Sequence, residues 1–246
     1  MRDIAELIQN VSKYKDAIVQ VRLKSKKNTV AYVTMDEKPR VLKWFVPGLK
    51  KQMKAEYEVL KEGSSKLNIP TIHDLDEENN LLIMGYIAGE NLCDIINNEN
   101  TPTNEKQKLI VLLAKWFADF HNHFKTQVQF RIRGDPTLRN FIFNDKIWGV
   151  DFEESRMGVP SEDIAGACAS ILSTDPMFTK EKFELCKLFL ESYEKSAPGR
   201  IKNISNEIAY AILEKIQWRP RDEEVLRKYS KIIKNYGLDK VLSSTR

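Results

Sequence analysis

The first third of the chain alternates hydrophobic and polar residues with a period of two. Runs rich in β-branched and aromatic residues occur at residues 18–23, 29–34, 41–46, 71–75 and 81–86. Short polar connections between such runs are typical of antiparallel strands. Between the third and fourth runs, Met53, Tyr57 and Leu60 recur at helical spacing, which predicts a helix that ends near Gly63. We therefore expect five strands with one helix inserted after the third.

Beyond Gly89 the period changes to that of α-helices. A wide apolar stripe is formed by Leu109, Leu112, Leu113, Trp116, Phe117 and Phe120. Further helical patterns cover residues 161–173, 180–195, 205–216 and 221–235, with a break at 198–199. A strand-rich part followed by a helix-rich part is typical of an α+β protein. We expect an N-terminal lobe over residues 1–87 and a mainly helical C-terminal lobe over residues 88–246.

The composition is that of a globular protein. With 42% hydrophobic and 30% charged residues, the chain is neither fibrous nor disordered. It has no stretch apolar enough for a membrane helix or a signal peptide, so we expect a cytoplasmic protein without membrane contact. Cys93, Cys168 and Cys186 are odd in number and widely spaced, which predicts reduced thiols. The net charge of +4 is compatible with an anionic partner but identifies none.

A short hairpin is predicted in the second half of the chain. Residues 141–143 and 147–150 are apolar runs, and the polar residues 144–146 join them. A register in which the middle residues of the two runs face each other brings Asn140 close to Asp151. Amide and carboxylate oxygens are ligands that suit Mg²⁺, a hard ion that is usually shared with substrate phosphates.

Asp135 lies five residues before Asn140, on the loop that leads into this hairpin. A carboxylate in that position can reach a hydroxyl group held beside the metal. The spacing from Asp135 to Asn140, followed by Asp151 at the end of a strand, is the arrangement used for kinase-type phosphoryl transfer.

With these residues the chain resembles the protein-kinase-like superfamily, and within it the aminoglycoside and choline phosphotransferase-like small-molecule kinases. The resemblance extends from about residue 18 to residue 173 and implies a bilobal protein-kinase-like fold with a nucleotide-binding N-terminal lobe. By this resemblance Asp135 is the catalytic base, Asn140 and Asp151 are Mg²⁺ ligands, and Lys43 binds the α- and β-phosphates of ATP. Asp163 would bond backbone amides of the catalytic loop.

The same resemblance assigns the remaining nucleotide contacts. Lys43 needs an acidic partner on the following helix, for which Glu56 fits best and Glu58 is the alternative. Met84 resembles the residue that borders the adenine site, and backbone groups of Gly85 and Ile87 would hydrogen-bond adenine.

Glu153 stands in place of the glycine of the Asp-Phe-Gly motif of protein kinases, as in the choline-kinase-like branch. Two features depart from the usual pattern of the family. Arg133 stands where a histidine is usual. The glycine-rich loop is absent from residues 24–28, so Ser25, the neighbouring lysines and backbone amides would have to cover the phosphates.

The distance from Asp151 to the next helix favours a small-molecule acceptor. The helix that begins near Ser161 leaves only about ten residues, too few for the peptide-docking segment of a protein kinase. Two alternatives stay open. One is a compact atypical kinase that acts on a protein or RNA-linked partner, which the basic isoelectric point favours. The other is a nucleotide-binding pseudokinase, which Arg133 and the missing glycines favour. The sequence carries no signal for an oligomeric state.

Overall fold

The chain forms two units in the computed structural model. One unit comprises Met1–Ala88 and Asp151–Glu154, and the other comprises Gly89–Val150 and Ser155–Arg246. The structure describes residues 4, 8, 11–23, 25–197, 201 and 204–243, with side chains through residue 238.

The first unit is built on a five-stranded antiparallel sheet. Its strands are β1 (Ile18–Leu23), β2 (Thr29–Met35), β3 (Lys38–Trp44), β4 (Ile72–Asp76) and β5 (Leu81–Gly85), arranged in the order β1-β2-β3-β5-β4. Helix α1 (Lys50–Gly63) follows β3 and lies against β4. The predicted arrangement of five strands with one helix after the third is confirmed.

Strand β3 begins earlier than its hydrophobic run predicts, at Lys38 instead of residue 41. The reason is the turn before it. Asp36 and Glu37 both have positive φ angles, 49° and 59°, and Met35 pairs directly with Lys38. A two-residue turn of this kind matches the twist of the flanking strands, so pairing continues up to the turn.

Apolar residues cover one face of this sheet together with the N-terminal segment. The cluster consists of Ile4, Ile8, Tyr14, Ala31, Val33, Leu42, Trp44, Leu81 and Ile83. The Tyr14 hydroxyl donates a hydrogen bond of 2.5 Å to Asp74 Oδ2 on β4, and the Lys13 ammonium lies 2.6 Å from the same oxygen. Because the N-terminal segment covers this face, residues 81–84 are buried throughout and apolar without alternation.

The second unit is mainly helical. Its helices are α2 (Leu92–Asn97), α3 (Thr103–His123), α4 (Pro160–Ser173), α5 (Lys180–Ser196), α6 (Ile204–Glu214) and α7 (Glu223–Ser243), the last interrupted at Gly237. Helix α3 packs on α5, α4 on α6, and α6 on α7. The four predicted C-terminal helices are present with slightly shifted ends, and the predicted break at 198–199 lies outside the described residues.

Two small sheets complete this unit. Strands β6 (Glu90–Asn91), β8 (Phe141–Asn144) and β9 (Lys146–Gly149) form one, and β7 (Phe130–Ile132) pairs with β10 (Arg156–Gly158) in the other. The hairpin β8–β9 has the predicted register, with Phe143 opposite Ile147. Its turn is the single residue Asp145, which has a φ angle of 62°.

The aromatic residues of α3 form the centre of the second core. The Trp116 ring stacks on Phe120 at a centroid distance of 5.3 Å and meets Phe141 edge to face at 5.1 Å. Such ring pairs each contribute about 0.5–1.5 kcal/mol beyond the area they bury. Leu112 is an exception to the predicted stripe, because 39% of it is exposed.

The three cysteines are buried and free, as expected. Among the described residues, every helix is too short or too polar to span a bilayer.

Replacing Tyr14 by Phe is expected to lower the free energy of unfolding by about 1 kcal/mol, because a hydrogen bond to a charged Asp74 is lost while the ring packing is kept. Urea denaturation measures the difference. Tyr210→Phe is the matched control, since Tyr210 is 58% exposed and its substitution should leave the midpoint unchanged. Equal midpoints for wild type and the Tyr14 variant would contradict the role of this bond.

Candidate active site

Lys43 lies near the end of β3 on the sheet face opposite Leu42 and Trp44. Those two neighbours belong to the apolar cluster under the N-terminal segment. Lys43 itself is only 4% exposed. An ammonium group buried this deeply is stable only beside groups that compensate its charge.

Three carboxylates supply that compensation. The Lys43 Nζ atom lies 2.7 Å from Glu56 Oε2, 2.6 Å from Asp151 Oδ1 and 2.8 Å from Glu153 Oε2. Glu56 comes from α1 and also accepts a hydrogen bond of 3.2 Å from the Phe152 amide. Glu58, the alternative partner, is exposed. The structure therefore pairs Lys43 with Glu56.

The charges in this cluster shift the pKa values of its members. Burial acts to lower the pKa of Lys43, but the charges of Glu56, Asp151 and Glu153 outweigh it and raise the pKa above its usual value. Burial raises the pKa of the Glu56 carboxyl, and the nearby Lys43 charge opposes that shift. The result is a lysine that stays protonated at any physiological pH.

The carboxylate oxygens of Glu56, Asp151 and Glu153 all lie within 4.8 Å of one another. Hard oxygen donors in such a group fit Mg²⁺, which binds through one or two carboxylates and keeps several waters. Asp151 is the most accessible of the three, with 43% of its side chain exposed. Among these carboxylates, Asp151 is therefore the best placed to bind an ion together with a substrate.

Asn28 contacts this cluster although the sequence pattern did not single it out. Its Nδ2 donates a hydrogen bond of 2.5 Å to Glu153 Oε2, and its Oδ1 accepts one of 3.3 Å from the Val46 amide. Asn28 is 5% exposed. Beside it, Lys27 forms an ion pair of 2.5 Å with Glu154. The loop that replaces the glycine-rich loop is thus tied to residues 153 and 154.

Ser25 has a local contact in this loop. Its Oγ accepts a hydrogen bond of 3.3 Å from the Asn28 amide, which stabilises the turn before β2. Lys24, also in the loop, lies outside the described residues. A contact of Ser25 with phosphate stays a prediction.

Two of the residues predicted to border adenine, Met84 and Gly85, form the end of β5, and Ile87 is the second residue after it. Met84 is buried. The Gly85 amide already donates to the Thr71 carbonyl at 2.8 Å. The contacts of Gly85 and Ile87 with adenine stay predictions.

Asp135 and Asn140 lie together in the second unit. Asn140 Nδ2 donates to both the carboxylate Oδ2 and the main-chain oxygen of Asp135, each at 3.1 Å. These bonds fix the Asp135 side chain and leave the amide oxygen as the atom of Asn140 that can bind a metal. Asn140 also accepts a hydrogen bond of 3.0 Å from the Val150 amide through its main-chain oxygen.

A buried network holds the loop before Asp135. The Asp163 carboxylate accepts hydrogen bonds of 2.6 Å and 2.9 Å from the amides of Arg133 and Gly134, as expected. His121 Nε2 lies 3.1 Å from Asp163, and its Nδ1 lies 2.8 Å from the Tyr193 hydroxyl. Burial, with the charge of Asp163, raises the pKa of Tyr193. No motif in the sequence indicated His121 or Tyr193.

The predicted site residues therefore form two groups. Lys43, Glu56 and Asp151 are together in the first unit, and Asp135 and Asn140 are together in the second. The closeness of the Asn140 and Asp151 side chains stays a prediction.

Comparison with known proteins identifies the fold. No family model and no curated protein matches the chain, but solved structures match it over nearly its whole length. A choline/ethanolamine kinase family protein from Mesorhizobium loti has 12% identity and a TM-score of 0.65, with 97% of this chain and 98% of that chain covered. The choline kinase LicA from Streptococcus pneumoniae has 17% identity and a TM-score of 0.57, with 98% of each chain covered. An aminoglycoside phosphotransferase in complex with streptomycin and ATP has 16% identity and a TM-score of 0.62, with 99% of this chain and 97% of that chain covered.

The chain has the fold of the small-molecule kinases. The protein-kinase-like α+β fold predicted from the resemblance is confirmed.

Replacing Lys43 by Met is expected to lower the free energy of unfolding by about 3 kcal/mol at pH 8, because the buried carboxylates lose their cation. The loss should shrink toward pH 5. A carboxyl whose folded-state pKa is raised, as that of Glu56 is by burial, contributes stability at low pH and loses it as the pH rises through its folded pKa. Urea denaturation at both pH values measures the effect.

The matched control for this variant is Lys54→Met. Lys54 is exposed and pairs with Glu77 at 3.1 Å, so its removal should cost at most about 1 kcal/mol at either pH. An equal loss at pH 5 and pH 8 in the Lys43 variant would contradict the charge argument.

Proposed function

We propose that this chain is an ATP- and Mg²⁺-dependent phosphotransferase that moves the γ-phosphoryl group to a hydroxyl of a small molecule. The observation that carries the proposal is the buried Lys43 ammonium in contact with both Glu56 and Asp151, in a chain with the small-molecule kinase fold. Similar structures include a choline kinase and a complex with streptomycin and ATP. We further propose that the protein acts in the cytoplasm, where both ATP and Mg²⁺ are abundant.

The first group of residues would bind the phosphoryl donor. Lys43 offers a fixed positive charge to the α- and β-phosphates, and Glu56 keeps the lysine in place. Asp151 and Asn140 supply carboxylate and amide oxygens for Mg²⁺, which when bound neutralises charge on the phosphate oxygens. Glu153 adds a third carboxylate next to Lys43.

The second group would act on the acceptor. Asp135 orients the acceptor hydroxyl and takes its proton as the hydroxyl oxygen forms a bond to the γ-phosphorus. The bond from that phosphorus to the bridging oxygen breaks, and ADP leaves with the electron pair. The Asn140 amide supports this role because it donates one bond to the Asp135 carboxylate and one to the main-chain oxygen of the same residue, which orients the carboxylate.

The segment after Asp151 supports a small acceptor. Strand β10 pairs with β7 directly after residue 155, and α4 begins at Pro160. Residues 152–159 are too few for the segment on which protein kinases bind peptides. We therefore favour a small-molecule hydroxyl over a protein or RNA-linked acceptor.

Replacing Asp135 by Asn is expected to lower kcat by roughly 10²–10⁴-fold, because the hydroxyl loses its proton acceptor. Nucleotide affinity, measured by calorimetry, should change by less than about twofold because Asp135 does not take part in binding phosphates. Asp145→Asn is the matched control: Asp145 occupies the hairpin turn at a φ angle of 62°, which asparagine tolerates. An Asp135 variant with wild-type turnover would refute the assignment.

A panel of metabolites and aminoglycosides incubated with ATP or GTP and Mg²⁺ should contain an acceptor that gains one phosphate by mass spectrometry. Removal of Mg²⁺ by a chelator should abolish that gain. Stabilisation by nucleotide without transfer to any acceptor, and without slow hydrolysis, would instead favour the pseudokinase. Autophosphorylation would favour the macromolecular acceptor.

A further inference from the structure

Arg133 occupies the position where the resembled family usually has histidine, and its side chain is completely buried. It is the largest of the fully buried side chains in the described part of the chain. Its amide is held by Asp163, as described above. A guanidinium group carries its charge at any pH that a protein survives, so this position holds a permanent buried cation.

The guanidinium binds two main-chain carbonyls. Arg133 Nε donates a hydrogen bond of 2.9 Å to the oxygen of Asp135, and Nη2 donates to the oxygen of Val150. The first carbonyl belongs to the proposed base. The second precedes the proposed metal ligand Asp151 by one peptide bond. One planar guanidinium thus joins the backbone at the proposed base, Asp135, to the backbone just before the proposed metal ligand, Asp151.

Aromatic rings enclose this cation. The guanidinium carbon lies 4.6 Å from the centroid of the Phe141 ring and 5.7 Å from that of Trp116, distances at which aromatic faces stabilise a cation. Gly149 leaves room for the Trp116 ring and the Arg133 guanidinium because it has no Cβ atom. A Cβ atom there would lie 2.3 Å from Trp116 and 3.0 Å from Arg133 Nη1.

We propose that Arg133 is a positioning residue for phosphoryl transfer. Its guanidinium holds the carbonyls of Asp135 and Val150 at a fixed separation. This orients the Asp135 carboxylate and the backbone that leads into Asp151. This inference rests on the proposed function. On this inference, the arginine at position 133 contributes to the reaction and is not a sign of inactivity.

The chemistry of the two side chains explains what the arginine adds. A neutral imidazole donates one hydrogen bond, whereas a protonated imidazole donates two. Binding both carbonyls with histidine would therefore require protonation, which burial disfavours and which an acidic pH promotes. Arginine donates to both carbonyls at every pH, because its planar fork keeps its protons.

The test compares Arg133→Met, Arg133→Lys and Arg133→His with the wild type, with Arg131→Met as the matched control. Arg131 lies on β7, two residues before Arg133, and over the Phe124 ring. We measure kcat and the KM for ATP from pH 5.5 to 8.5, and the thermal midpoint of each variant.

Arg133→Met should lower kcat by about 10²-fold, the scale of an ångström-sized displacement of a catalytic group, with a KM for ATP within about twofold of wild type. Arg133→Lys should recover part of kcat at all pH values. For Arg133→His, the ratio of its kcat to that of the wild type should rise as the pH falls toward 5.5, because protonation supplies the second donor. Arg131→Met should keep the wild-type kcat.

A folded Arg133→Met variant with wild-type kcat would overturn the inference. So would a histidine variant whose kcat ratio does not change with pH, together with a lysine variant that recovers nothing. The lysine and histidine variants decide the question if the methionine variant does not fold. A wild-type chain that transfers no phosphoryl group would refute the proposed function itself, whereas an active wild type and an equally active methionine variant would refute only the role of Arg133.

Discussion

The burial of Lys43 on one face of the five-stranded sheet constrains much of the first unit. Lys43 is almost inaccessible to water, so its charge must be met inside the protein, and the three carboxylates that meet it come from two distant parts of the sequence. Helix α1 has to present Glu56, and residues 151–154 have to pack against the first part of the chain. The β1–β2 loop then fastens Glu153 through Asn28. Under the proposed function, the same contacts would place the groups that bind the phosphoryl donor, so folding and binding would impose the same requirements.

In the second unit, hydrogen bonds to backbone groups hold the loop of residues 133–135. Asp163 accepts from two amides of the loop, and Arg133 donates to carbonyls on either side of the hairpin. Behind them, His121 contacts the buried Asp163 carboxylate through Nε2 and the Tyr193 hydroxyl through Nδ1. Hydrogen bonds to the main chain leave the side chains of Asp135 and Asn140 available for chemistry. Holding the loop by its main chain would suit the proposed phosphoryl transfer, in which positioning and charge account for most of the rate enhancement.

Periodicity was sufficient to predict the five-stranded sheet and the long helices, because the strands of the sheet and the aromatic stripe of α3 each bury one regular face. The short elements β6, β7, β10 and α2 have too few residues to show a period. The spacing of Asp135, Asn140 and Asp151 could be recognised because those residues lie close together in sequence. Asn28, His121 and Tyr193 could not be recognised, since their partners are far away along the chain and single polar residues carry no periodic signal. The sequence also did not show that the N-terminal segment covers the sheet at Leu42 and Trp44. Arg133 was visible as a departure, but only its two carbonyl partners show what it does.

The first unit consists of two separate stretches of the chain, and the second stretch is synthesised much later than the first. Residues 151–154 are synthesised long after strand β5, so Asp151 and Glu153 are absent while the N-terminal part of the chain is made. Until then Glu56 is the one partner of Lys43 in the three-carboxylate cluster. Fragments that end near residue 88 lack the same two carboxylates, so we expect the buried Lys43 charge to destabilise them.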